Sequence, residues 1–118
     1  FLFLVTFMSE STELNLESAI KTVTTAGTRE PLATGRPNEM RVRSVTIRAL
    51  TSNGGNVYVG DSRVTNAPAF AYTLSPGETI TYQVSWEGWQ HGEAIDLADI
   101  YLDVATSGEG VCYTVLRD

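Results

Sequence analysis

His91 is the one histidine of the chain, and Ser85, Glu87 and Glu93 lie close to it in sequence. Together they hold the residue types of a hydrolase: a hydroxyl nucleophile, an imidazole base and an orienting acid. Such a triad works only when the three groups lie in mutual hydrogen-bond reach, and closeness along a chain does not give that. His91 is therefore expected as a solvated loop residue, and no catalytic residue is assigned. Asp61, Asp96, Asp99 and Asp103 offer carboxylate oxygens of the kind that hold Ca²⁺. Neither the spacing of an EF-hand loop nor a Gly-Asp repeat accompanies them. Asp99 and Asp103 read instead as the polar end and outer face of a strand. With one Cys (Cys112) and one His, a thiolate or imidazole metal cage lacks ligands. No metal and no cofactor are expected, and Cys112 reads as a small buried hydrophobe.

The remaining candidates recognise rather than react. Trp89 sits among Glu87, Gln90 and His91 on a loop, where a flat ring beside polar groups could stack on a sugar. A protein-contact role is favoured for it, because Trp is a common interface anchor. Trp86 shares the parity of Val84 and is assigned to the core. Arg41, Arg43 and Arg48 fall along one predicted strand; Arg41 and Arg43 are taken as partners for acidic groups of a neighbouring subunit, using Arg's bidentate geometry. The chain opens Phe1-Leu2-Phe3-Leu4-Val5-Thr6-Phe7. This run is too short to span a bilayer, which needs about 20 residues, and it lacks the charged start of a signal peptide. Met8-Ser9-Glu10 reads like a translation start, so the first seven residues read as an extension or as the end of a processed precursor. Such a run is either a strand of the domain's own sheet or an arm buried against another chain. Phe1, Leu2, Phe3, Leu4, Val5 and Phe7 are carried forward as partner-binding residues.

These side chains must be positioned by a single small domain, since 118 residues hold one core. Apolar residues make up 42%, too many for a disordered chain. The net charge is −6 and the basic residues form no run, so neither nucleic acid nor an anionic membrane is an expected partner. Val, Ile and Thr are abundant and Lys21 is the only lysine. That balance favours strands.

Residues 9–18 read as a polar linker or short helical turn, so residues 1–18 form an arm and linker and 19–118 the folded domain. Short strand candidates follow, with turn signals between them. They are Ala19–Thr25; Arg29–Ala33, placed at an edge by Pro31; Met40–Leu50; Val57–Val59; Phe70 to Leu74; Glu78–Trp86; Ile100 to Val104; and Val111–Leu116. In Met40–Leu50 the inward parity of Val45, Ile47 and Ala49 runs back onto Arg43 and Arg41, which predicts a bulge near Arg43-Ser44. Ser75-Pro76-Gly77-Glu78 fits a type II turn. Asn53-Gly54-Gly55-Asn56 and Ser107-Gly108-Glu109-Gly110 read as hairpin turns. The predicted fold is all-β: one antiparallel β-sandwich, jelly-roll-like, with an extended apolar N-terminal arm.

Five segments, in their order and spacing, carry a family likeness. They are Val23-Thr24-Thr25-Ala26-Gly27-Thr28, Arg43-Ser44-Val45-Thr46-Ile47, Gly55-Asn56-Val57-Tyr58-Val59-Gly60-Asp61, Leu74-Ser75-Pro76-Gly77-Glu78 and Asp99-Ile100-Tyr101-Leu102-Asp103-Val104-Ala105. Over residues 20–117 the chain resembles small virion structural proteins of tailed bacteriophages. The resemblance implies a non-enzymatic β-sandwich. Its leading implied role is a capsid cement or decoration protein that binds and stabilises the assembled shell. The alternative is a carbohydrate-binding or adaptor module of a tail, fibre or head–tail junction. It implies major capsid protein or other virion subunits as partners, and a homo-oligomer, with a trimer favoured. Two features depart from the pattern: the longer loop around Trp86-Glu87-Gly88-Trp89, and the apolar arm.

Overall fold

A computed structural model describes residues 15–66 and 70–117. Ser44–Ala49 and Thr79–Gln83 alternate apolar or aromatic residues with polar ones, and the alternation decides which face each presents. In chain order the elements are β1 (Asn15–Thr22), β2 (Glu30–Pro31), helix α1 (Pro37–Met40), β3 (Arg41–Val42), β4 (Ser44–Ala49) and β5 (Val57–Gly60). They continue with β6 (Ala71–Leu74), β7 (Thr79–Gln83), helix α2 (Trp86–Gln90), β8 (Ile95–Asp96), a 3₁₀ turn (Leu97–Asp99), β9 (Tyr101–Val104) and β10 (Gly110–Arg117). Two four-stranded antiparallel sheets result, ordered β1-β10-β4-β7 and β2-β9-β5-β6, with a small β3–β8 ribbon beside them. The expected jelly-roll sandwich is the observed one. The expected arm, Phe1 to Phe7, lies outside the described residues.

The core fills the space between the sheets. Val45, Ile47 and Ala49 of β4 and Val111 and Val115 of β10 face Val57 and Val59 of β5 and Leu102 and Val104 of β9, all fully or almost fully buried. Each such Val, Ile or Leu side chain contributes about 1.5–3 kcal/mol when removed from water.

Several sequence expectations are corrected. The first strand begins at Asn15, inside the expected linker, because Asn15 to Ser18 pair with Arg117 to Thr114 of β10. The phase problem in Met40–Leu50 is resolved by a break, not a bulge. Val42 pairs with Ile95 in the ribbon, whereas β4 starts at Ser44. Arg43 is the joint: its N–H donates to Leu116 O at 2.8 Å and its C=O accepts from Val84 N at 2.8 Å. A change of partner strand lets Val42 and Val45 both be buried although they differ in parity.

The turns at 53–56 and 107–110 are not hairpins. Each carries the chain from one sheet to the other, since β4 and β10 lie in the first and β5 and β9 in the second. Glu109 ties the two turns together by accepting from Gly54 N at 2.5 Å and Gly55 N at 3.0 Å. Ser75–Glu78 is a type II turn as expected: Glu78 N donates to Ser75 O at 2.9 Å, and Gly77 takes φ +88°.

Trp86 is not a core strand residue. The strand stops at Gln83, and Ser85 caps α2 by accepting from Gly88 N at 3.0 Å, so the chain coils before Trp86 reaches the interior. Asp103 also departs from expectation. It has the outward parity of β9 yet is fully buried, because the segment after β1 folds over that face. Gly27 N donates to Asp103 Oδ1 at 2.9 Å, and Ala26 N donates to the Ser107 hydroxyl at 2.8 Å.

Candidate functional site

The most unusual surface is β1. It is an edge strand of eight residues, hydrogen-bonded to β10 on one side. Leu16 is 68% exposed and Ile20 69% exposed. Both stand on the outer face, where Leu16 pairs with Leu116 and Ile20 with Cys112. Cys112 is thus half-buried beneath this apolar rim and not in the core. The same face carries hydroxyl pairs: Ser18 with Thr114 at 2.9 Å and Thr46 with Thr81 at 3.1 Å.

The inward parity of β1 is held by ion pairs. Lys21 Nζ donates to Glu30 at 2.8 Å, and Arg117 donates to Glu17 at 3.1 Å and to the Glu39 carbonyl. The Lys21 ammonium, joined by the Thr24 N–H, holds the Glu30 carboxyl below its ordinary range. These pairs fix β1 to the body, and among the described residues no strand pairs with its outer edge. Natural sheets blunt such edges with Pro, bulges or short length. β2, at the same flank of the other sheet, has two residues and carries Pro31. β1 has no proline.

The predicted contact residues are partly brought together. Trp89 and Arg41 line one shallow hollow of about 190 Å³ with Asn38 and Arg117. Arg41 is anchored there by donating to Gly92 O at 2.6 Å. Arg43 lies elsewhere, with its guanidinium 5.0 Å above the Trp86 ring. Arg48 is on the outer face of β4 and donates to Gly77 O at 3.4 Å. The three arginines therefore do not form one stripe.

The hydrolase residues do not assemble. Ser85 is the N-cap and His91 the C-cap of α2, at opposite ends of one short helix, and His91 is exposed. Of the aspartates, Asp61 pairs with Arg63, Asp96 caps the 3₁₀ turn by accepting from Ala98 N at 2.9 Å, and Asp103 is consumed in the interior. Among the described residues no cluster of His, Cys, Asp or Glu is placed to hold a metal ion.

A second depression was not foreseen. At the flank where β6 and β7 are the outermost strands, an open groove of about 530 Å³ lies between the sheets. Phe70, Tyr72, Tyr82, Asp61, Arg63 and Asp99 line it. Phe70 and Tyr72 are 55% and 64% exposed, although alternation with the buried Leu74 assigns all three to one inward face. The signal was present as Phe-x-Tyr-x-Leu, but alternation gives a face and not a position across the sheet.

No family model matches the chain, and no curated protein matches it. Among solved structures, one from Bacillus endospore appendages, described as a family of disulfide-linked pili, is similar over 88% of this chain and 87% of that one. The identity is 14% and the TM-score 0.44.

Proposed function

We propose that the chain is a non-enzymatic structural subunit that works by associating with its neighbours in a larger assembly. The observation that carries this reading is β1: among the described residues, an eight-residue edge strand without proline that exposes Leu16 and Ile20. Pairing with a strand of another subunit would satisfy its open backbone groups and cover both side chains. The apolar residues 1–7 precede this edge in sequence, with residues 8–14 between, and would supply a segment for such an exchange.

The setting we propose is the virion of a tailed phage, with a cement or decoration role on the capsid surface and a homotrimeric subunit. That setting is supported by the segment likeness over residues 20–117. A subunit that binds only the assembled shell stabilises it by mass action, and many copies multiply a modest contact. Trp89 and Arg41, sharing one hollow, offer a second contact to a neighbouring subunit.

The test is the assembly state of the full chain by light scattering, followed by copy counting in purified particles. An oligomer that Ile20→Lys dissociates without unfolding the domain is the expected result. A monomer at all concentrations that also fails to bind any particle overturns the reading.

A further inference from the structure

The groove between β6 and β7 is separate from the β1 edge, since the two lie at opposite flanks of the sandwich. Its volume of about 530 Å³ falls in the range of small-ligand sites, roughly 300–1,000 Å³. Its chemistry is mixed in a particular way. Phe70 and Tyr72 expose aromatic surface that the core does not use. Tyr82, on the facing sheet, adds a half-buried ring; burial and the neighbouring Tyr72 push its phenol up, so it stays a hydroxyl donor at neutral pH.

The polar groups narrow the ligand class. Arg63 is committed at both ends of its reach: it donates through Nε and Nη2 to Asp61, at 3.1 and 2.8 Å, and its guanidinium lies 4.8 Å over the Phe70 ring. Among the described lining residues Asp61 and Asp99 outnumber that one cation, and the whole chain is acidic at −6. An anionic ligand is therefore disfavoured. A cationic ligand would meet Arg63 on the ring it would need for cation–π contact. A purely apolar ligand would cover the Asp99 carboxylate without supplying a donor, which carries a desolvation cost. What remains is a neutral molecule with one apolar face and a rim of hydroxyls.

We propose that this groove is a carbohydrate-binding site for a neutral sugar residue, with Tyr72 stacking on the ring's C–H face and Asp99 accepting from its hydroxyls. The Asp61–Arg63 pair acts as a fixed polar wall, and Tyr82 reaches the sugar from the opposite sheet. Trp89, the sugar platform weighed from the sequence, does not line this groove. The site is independent of the assembly reading.

The test is a titration of the full-length chain with maltotriose, cellotriose and N-acetylchitotriose, read by amide chemical shifts of Gly60, Ala71 and Tyr72. Phosphocholine and a heparin disaccharide are the charged controls. The expected result is saturable shifts confined to the groove with at least one neutral oligosaccharide, in the millimolar range. Tyr72→Ala should weaken binding about tenfold, equivalent to about 1.4 kcal/mol, and Tyr72→Phe should retain most of it. Both variants should keep the parent melting temperature, because Tyr72 is 64% exposed. Three outcomes overturn the proposal: silence with all three oligosaccharides, shifts with only a charged control, or binding that Tyr72→Ala leaves unchanged.

Discussion

The carboxylate of Asp103 accepts the backbone N–H of Gly27 at 2.9 Å, a contact across 76 residues of sequence. The same oxygen accepts from Val104 N at 2.8 Å, while Oδ2 is buried without a hydrogen-bond partner among the described residues. One oxygen thus serves a buried donor on Val104 and a part-buried one on Gly27. Asp103→Ala should cost about 1–3 kcal/mol, because it leaves the buried Val104 N–H unsatisfied and releases the Gly27 N–H. Asp103→Asn keeps an acceptor at Oδ1 and should stay within about 1 kcal/mol of the parent. Urea denaturation of the two variants checks this; equal destabilisation by both would contradict it.

Gly110 pairs with Thr22 at the end of the β1–β10 ladder, with the β1 backbone close against it. A methyl group there would run into the backbone of Lys21 and Thr22. Gly110→Ala should therefore destabilise the fold by about 1–3 kcal/mol, as overpacking does. Amide exchange should accelerate in β1 before it does in β4. Protection of β1 equal to that of the parent would show that the strands can move apart freely.

The charged variants Leu16→Lys and Ile20→Lys test the β1 edge. Both side chains are more than two-thirds exposed, so melting temperature should barely change. Association measured by sedimentation should fall. Deleting residues 1–7 should likewise reduce particle occupancy without unfolding the sandwich. Unaltered occupancy after that deletion would remove the arm from the interface.

The Lys21–Glu30 pair gives a pH prediction with a definite sign. The folded-state pKa of Glu30 lies below its ordinary value of 4.5, chiefly through the Lys21 hydrogen bond and then the Thr24 N–H. A depressed carboxyl pKa contributes stability that is present above the unfolded value and is lost as pH falls through the folded one. The pair is only partly shielded from water, which limits its worth to at most about 1 kcal/mol. Lys21→Met should therefore lower stability slightly at pH 7 and flatten the loss below pH 4.5. Thermal melts at pH 7, 4.5 and 3 provide the comparison.

Much of the sandwich was legible from local pattern. Val45, Ile47 and Ala49 alternate as they pack, Pro31 marks an edge, and Pro76-Gly77 sets a type II turn. What local pattern lacks is lateral position and destination. Phe70 and Tyr72 carry the right parity for a core, but β6 is outermost in its sheet, so they overhang the interior. The 53–56 turn reverses the chain, yet nothing in Asn-Gly-Gly-Asn says that the next strand joins the opposite sheet. Asp103 was assigned to solvent because its cover comes from Gly27, far away in sequence. The candidate contact residues fared similarly: Trp89 and Arg41 meet, while Arg43 turns to Trp86.

The flank that presents β1 also presents β2, cut to two residues by Pro31. A strand zipping on from outside can lengthen only one of the two layers, and it meets the other as a step. Growth from this side would consequently be lopsided, with the newcomer held along a single tier like a door on its hinge.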